Sequence, residues 1–440
     1  MRRDTLTRAY GLLAIGATLV GCSSLLGDFS VEASDGSTSE ATPGDEGGTQ
    51  ESSIVEGSTG DGMQDVRSPP GDTGPVQDAP SCPAGQTYCG GGCVSTATSS
   101  ADCGGCGNDC GGATCSAGKC SALTITSNLA TAPYGVAAGG GQVFWARSGA
   151  VEKCPAAGCS PSPQSVSNDS TLTNQGLVGG TTMATDGNYV VWLAADPNSS
   201  SPGYPGPVLY TCHASGCFGA PQLGSATTAM SQLFLEGTSI YANLGCGGGS
   251  VKTCALGACT GDPLTTTVAS AGVDCGYGIV SDGTTLFFSA GGDPIAGGAI
   301  ACPVAGCPTT GRVQLFQDAN LLAQSGDTVY ATTGMSSVVS CKKAGCGGSP
   351  TVLAASQTPI SSMVADASHL YYAVVGSSSS ATGEIRVCAL PGCAGGPTSR
   401  VTGLAQPVSL TVGDDGFLYW ANAGLANLAS TTSSIQRIRP

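Results

Sequence analysis

The chain has 440 residues, among them 69 Gly and 25 Pro, with 10% charged and 5% aromatic side chains and a formal charge of −15. That composition excludes a helical bundle and describes a turn-rich, all-β polypeptide. The acidic balance offers no basic face for nucleic acid.

Residues 1–21 read as a secretion signal. Arg2, Arg3 and Arg8 precede AYGLLAIGATLV, an apolar stretch too short to span a bilayer. It runs into Leu19-Val20-Gly21-Cys22, which resembles the lipobox of bacterial lipoproteins. The resemblance implies cleavage before Cys22 and a diacylglyceryl anchor on its thiol. It places the chain in the cell envelope, held to the outer membrane of a Gram-negative bacterium. An ordinary cleaved signal with an incidental cysteine is the alternative. Cysteine number agrees with export: 23 is odd, and setting Cys22 aside leaves 22, enough for eleven disulfides in an oxidising compartment.

Residues 22–80 are expected to be a linker. Between 28 and 80, twelve acidic residues face the single Arg67, so −11 of the charge of −15 lies here. Low hydrophobicity and like charges cannot repay the entropy of ordering, so a disordered tether is predicted. A coil of this length spans on the order of 40 Å.

Residues 81–121 pack Cys82, Cys89, Cys93, Cys103, Cys106, Cys110, Cys115 and Cys120 into a segment too small to fold without staples. CPAGQTYCGGGCV, DCGGCGNDC and CSAGKC resemble the cysteine-rich module of the stigma-specific-protein family. The resemblance implies a small disulfide domain of unassigned binding role, without activity. Its connectivity stays open. Cys103 and Cys106 have zinc spacing, but the module has no histidine, and neither metal nor cofactor is expected.

Residues 122–440 repeat. CPAAGC, CHASGC, CALGAC, CPVAGC, CKKAGC and CALPGC begin at 154, 212, 254, 302, 341 and 388, about 47 residues apart. Each follows a strand, tight turn and strand, as in MATDGNYVVWLA and IVSDGTTLFFSA, where Gly accepts the positive φ of a short hairpin. A third strand ends at each first cysteine, and a fourth, such as PQSVS or RVQLF, follows the second. Four antiparallel strands per unit predict a β-propeller. A seventh copy, SLTVGDDGFLYWAN at 409–422, continues only to SIQRIRP, and ALTITSNL at 122–129 supplies its missing outer strand. Seven blades are predicted, rather than six or an open array. The DGxxLYW-type pair resembles YWTD and related extracellular propellers, without the full YWTD phrase, and implies fold alone.

Each cysteine phrase is expected to be a disulfide across strands three and four: Cys154 with Cys159, Cys212 with Cys217, Cys254 with Cys259, Cys302 with Cys307, Cys341 with Cys346, and Cys388 with Cys393. Zinc needs four ligands where each phrase supplies two, and the only histidines are His213 and His369. The remaining Cys246 and Cys275 are expected to join adjacent blades.

Function is sought on the loops between strands two and three, at 196–207, 291–298, 376–383 and 423–434, joined by the connection 167–180. Asp196, Asp274 and Asp293 are the candidate acids, and Tyr204 and Tyr277 the candidate stacking residues. His213 and His369 fall on the opposite face as surface residues. No GxSxG, HExxH, P-loop or EF-hand pattern occurs. The reading is a lipid-anchored scaffold that binds a protein, peptide or glycan. An exported hydrolase or lyase using loop carboxylates, and a purely structural envelope protein, are the alternatives. Intact mass of the mature protein is expected to show loss of residues 1–21 and a diacylglycerol increment that Cys22→Ser removes; an unmodified Cys22 would rule out the anchor.

Overall fold

The computed structural model describes residues 81–168, 182–195, 207–217, 222–223, 230–244, 249–256, 266–273, 278–290, 298–307, 312–357, 359–426 and 432–440. Seven four-stranded antiparallel sheets succeed one another along the chain. In blade one, Pro133–Gly139, Gln142–Arg147, Ala150–Pro155 and Gln164–Ser167 pair in sequence order. Blades two to six repeat that order. In blade seven, Pro407–Val412, Leu418–Asn422 and Ser434–Ile438 are completed by Leu123–Ser127, with Ser127 opposite Ser434 and Leu123 opposite Arg437. The first strands of successive blades lie against one another all the way round, including seven against one. The chain is a closed seven-bladed propeller.

The second strands read as unbroken apolar runs because both faces of each sheet are covered by neighbouring blades. Trp145, Trp192, Tyr372 and Trp420 hold one register position, opposite Val136, Met183, Met363 and Leu410, and each is at most 1% exposed. Truncating one of these to Ala costs about 3–5 kcal/mol in a typical core.

Hydroxyls stitch the inner ring. Pairing slips by one residue near the start of the first strand in blades one, three, six and seven. The residue after the slip faces the next blade: Ser362 Oγ accepts from Leu410 N at 3.0 Å, and Ser409 Oγ from Val136 N at 3.2 Å. In blade one this position is Gly135, where a Cβ would come within 2.7 Å of Thr182 Oγ1. Thr182 instead donates to Tyr134 O at 3.0 Å.

The cysteine phrases differ from expectation. Cys154–Cys159, Cys212–Cys217, Cys302–Cys307, Cys341–Cys346 and Cys388–Cys393 are disulfides. They do not span strands three and four. Each first cysteine pairs with the second strand, as Cys154 with Val143 and Cys341 with Val329. The fourth strand starts only at Gln164, Gln222, Val313, Thr351 or Thr398, five residues beyond the second cysteine or slightly more. The disulfide therefore closes a turn rather than a strand pair. At its fifth position Gly158, Gly216, Gly306 and Gly345 have φ of 133°, 138°, 152° and 104°, which other residues rarely adopt.

That turn reaches the outer strand of the preceding blade. Cys159 N donates to Ile125 O at 3.4 Å and Cys217 N to Val166 O at 2.9 Å, while Cys346 Sγ lies 3.1 Å from Leu315 O. Cys254 is also disulfide-bonded. Cys246, Cys259 and Cys275 lie outside the described residues. The module's disulfides are Cys82–Cys93, Cys89–Cys106, Cys103–Cys115 and Cys110–Cys120. Replacing Cys341 and Cys346 together by Ala is expected to lower the unfolding free energy by about 2 kcal/mol, the loop-closure value for six residues. Denaturant titration, with proteolytic mapping for cuts between blades four and five, checks both magnitude and place.

Candidate functional site

The first strands of blades three to six enclose a cavity of about 190 Å³ at the centre of the ring. Phe234, Val280, Leu322 and Met363 wall it, and Ser281 and Gln324 are its polar members. Both are already engaged by their turns: Ser281 Oγ accepts from Gly283 N at 3.0 Å, and Gln324 donates to Gly326 O at 2.8 Å. Its lining carries no charge, and its volume is below that of ordinary small-molecule sites. It suits an apolar side chain better than a reacting substrate.

The carboxylates sit elsewhere. In the turns between strands one and two, an Asp accepts from backbone amides two and three residues on. Asp186 does so from Asn188 and Tyr189, Asp282 from Thr284 and Thr285, and Asp366 from Ser368 and His369. These are Asx turns, a structural use of the Asp in Asp186-Gly187, Asp282-Gly283 and Asp366-Ala367. Asp102, Asp109, Asp318 and Asp414 also accept backbone amides, from Gly107, Gly111, Gly334 and Gly140. Glu236 differs, because its Oε2 is buried without a hydrogen-bond partner.

Burial raises the Asp282 carboxyl, but hydrogen bonds from Lys343, from the Thr285 and Thr284 amides and from the Thr284 hydroxyl outweigh it, leaving the group well below the usual carboxylate range. Lys343 belongs to CKKAGC of blade five and also covers the Phe287 ring of blade four at 5.7 Å. Burial, reinforced by donation to Asp366 and Asp415, pushes the Tyr371 and Tyr419 phenols up. Such tyrosines stay protonated and act as hydrogen-bond donors.

None of the five sequence-derived site residues can be placed: Asp196, Tyr204, Asp274, Tyr277 and Asp293 all lie outside the described residues. The hydrolase or lyase alternative rests on three of them. His213 and His369 stand at the turn end of their blades, beside Tyr189 and Tyr371. His213 is exposed, with Nδ1 at 2.6 Å from Ser215 Oγ.

Sequence reasoning passed over a cluster at the loop end of blade one. Glu152 accepts from Trp145 Nε1 at 2.9 Å and from Arg147 Nε and Nη2 at 3.0 and 2.6 Å. The signal was present: Arg147 and Glu152 flank the Ser148-Gly149 turn, and Glu152 is the cross-strand partner of Trp145. The bidentate pair raises the Arg147 guanidinium and anchors the indole, so its role is to order the hairpin.

No family model matches the chain, and no curated protein does. Among solved structures it is similar to a chain of a nidogen/laminin complex, at 14% identity, covering 57% of this chain and 89% of that one, with a TM-score of 0.39. It is similar to BamB from Moraxella catarrhalis at 12% identity, covering 73% and 97%, with a TM-score of 0.43. It is similar to PorZ, a surface component of the type-IX secretion system of Porphyromonas gingivalis, at 11% identity, covering 72% and 38%, with a TM-score of 0.48. These are likenesses of fold.

The folded pKa of Asp282 lies below its unfolded value, so its contribution to stability is present above about pH 4 and is lost as pH falls through the folded value. Asp282→Asn is expected to destabilise by on the order of 1 kcal/mol at pH 7. The difference from wild type should shrink below about pH 4 in denaturant titrations run across pH. A difference independent of pH would assign the effect to packing alone.

Proposed function

We propose that the protein is a lipid-anchored propeller of the bacterial cell envelope, a non-catalytic scaffold that binds a protein, peptide or glycan on its loop face. The observation that supports this most is the division of labour between the two ends of the blades. The Asx turns, the stapled turns and their contacts with the preceding blade all occupy the end where strand one meets strand two. The disulfide module meets blade seven at this same end, beside the turn containing Asp415. The Asx turns, the stapled turns and the docked module thus share one face, while the first-strand hydroxyls and the Arg147–Glu152 pair lie toward the other. The opposite face carries segments of unequal length, from the two-residue Ser148-Gly149 turn to residues 375–382.

With Cys22 as the anchor and 22–80 as the tether, the chain would enter the folded part through the module. Rigid rings presenting variable loops suit recognition.

The test places a photo-crosslinking residue either at Ser380, on an exposed loop-end segment, or at Ala344, exposed in the CKKAGC turn. Intact cells are then irradiated. A discrete adduct from Ser380, absent from Ala344 and lost when 196–206 is replaced by a short turn, is expected. Equal labelling from both positions, or none from Ser380, would contradict recognition by the loop face.

A further inference from the structure

We propose that the cysteine-rich module is a clasp for the chain's own ring, and that its binding partner is blade seven. Blade seven is completed by a short pairing between residues more than 300 positions apart, Leu123–Ser127 against Ser434–Ile438. Leu123–Ser127 is an outer strand with a neighbour on one side only. Such an edge is the easiest strand of a sheet to peel away.

The module ends immediately before that strand and holds the other side of the joint. Arg437 Nη2 donates to Gly111 O at 2.6 Å, and Arg439 Nε to Asp109 O at 3.1 Å. Arg400, on the outer strand of blade six, donates to Cys120 O at 3.4 Å and to Arg439 O at 2.7 Å. The guanidinium carbons of Arg437 and Arg439 each lie 4.4 Å from the centre of the Phe417 ring. Arg437 is 5% exposed and is aligned by Asp415, whose Oδ2 is 3.7 Å from Nη1.

The fit is close. Gly111 has a φ of 61°, and a Cβ there would overlap the Phe417 ring. The accepting carbonyls are held by buried staples, since Cys103, Cys110 and Cys120 are each at most 4% exposed. Three arginines from two blades therefore converge on one preformed set of carbonyls. Chain order adds a consequence: a pull applied through residues preceding the module meets the docked module before it reaches Leu123–Ser127. The clasp must open before the strand can peel.

Hydrogen exchange on the full chain tests this. Gly111→Ala should undock the module and speed exchange of the amides of 123–127 and 434–438 by about tenfold or more. Blade five, at 322–333, should keep wild-type rates. Arg439→Gln, which removes one of the module contacts without altering the module itself, should give a smaller change in the same two strands. The proposal is overturned if Gly111→Ala leaves both strands at wild-type protection. It is equally overturned if all seven blades lose protection together, since the module would then be only one more piece of core.

Discussion

A four-stranded sheet made of runs such as VFWA and LYYAV has two apolar faces and can hide neither alone. Every blade therefore depends on two neighbours, and no blade is buried until the ring is shut. Trp145 illustrates the dependence. It belongs to blade one, yet its surroundings include Tyr419, Ala421 and Ile435 of blade seven and Ile125 of the closing strand. The apolar cores lie between blades rather than within them, so the pairing of 123–127 with 434–438, which brings Ile125 into the cluster of Trp145, completes the core shared by blades seven and one.

The disulfide turns serve the same constraint. A staple across two strands of one sheet would have stabilised that sheet without helping it find its neighbour. The observed turn, leaving the sheet after strand three, carries its second cysteine to the outer strand of the blade before it. Cys159 meets Ile125, Cys217 meets Val166, and Cys346 meets Leu315. Lys343 extends the contact by reaching Asp282. Outer strands such as Val313–Phe316 and Thr351–Ala354 are otherwise the more exposed part of their blades. Docking a covalently closed turn against them adds contact where the apolar faces run out, and does so with little entropy left to lose.

Much of the fold was legible because it is written locally and repeated. Asp-Gly and Glu-Gly between alternating runs specify hairpins, and six cysteine phrases mark the period. The incomplete seventh copy could be completed by only one unassigned strand. What was illegible is tertiary. A Cys-to-Cys separation of five fits both a cross-strand bridge and a closed turn, and nothing within one repeat says that the turn will seek the preceding one. The carbonyls that receive Arg437 and Arg439 are likewise more than 300 residues away in sequence. The Asp residues of the turns were read for hairpin chemistry, and their Asx hydrogen bonds agree. Glu152 was missed because its signal, an arginine and an acid on either side of a two-residue turn, becomes legible only once the strand register is set, whereas acids in long loops stand out.

Reactive chemistry is subject to the same constraint. A carboxylate becomes a reactive group when its environment leaves it unpartnered or pairs it with another acid. Among the described residues the turn acids accept amides, Glu152 and Glu384 grip arginines, and burial together with donation to Asp366 and Asp415 keeps the Tyr371 and Tyr419 phenols protonated. These groups are occupied by the demands of short hairpins in a chain with few bulky residues. Glu236 stands apart: one carboxylate oxygen is buried without a partner, and the group leans against Gly283 of the next blade, where a Cβ would come within 3.2 Å of Oε1. Blade four has glycine there, so the two turns approach closely with no other side chain between them. The turn face thus owes its regularity to small residues and committed acids, whereas the segments at the other end differ in length from blade to blade, from the Ser148-Gly149 turn to residues 375–382.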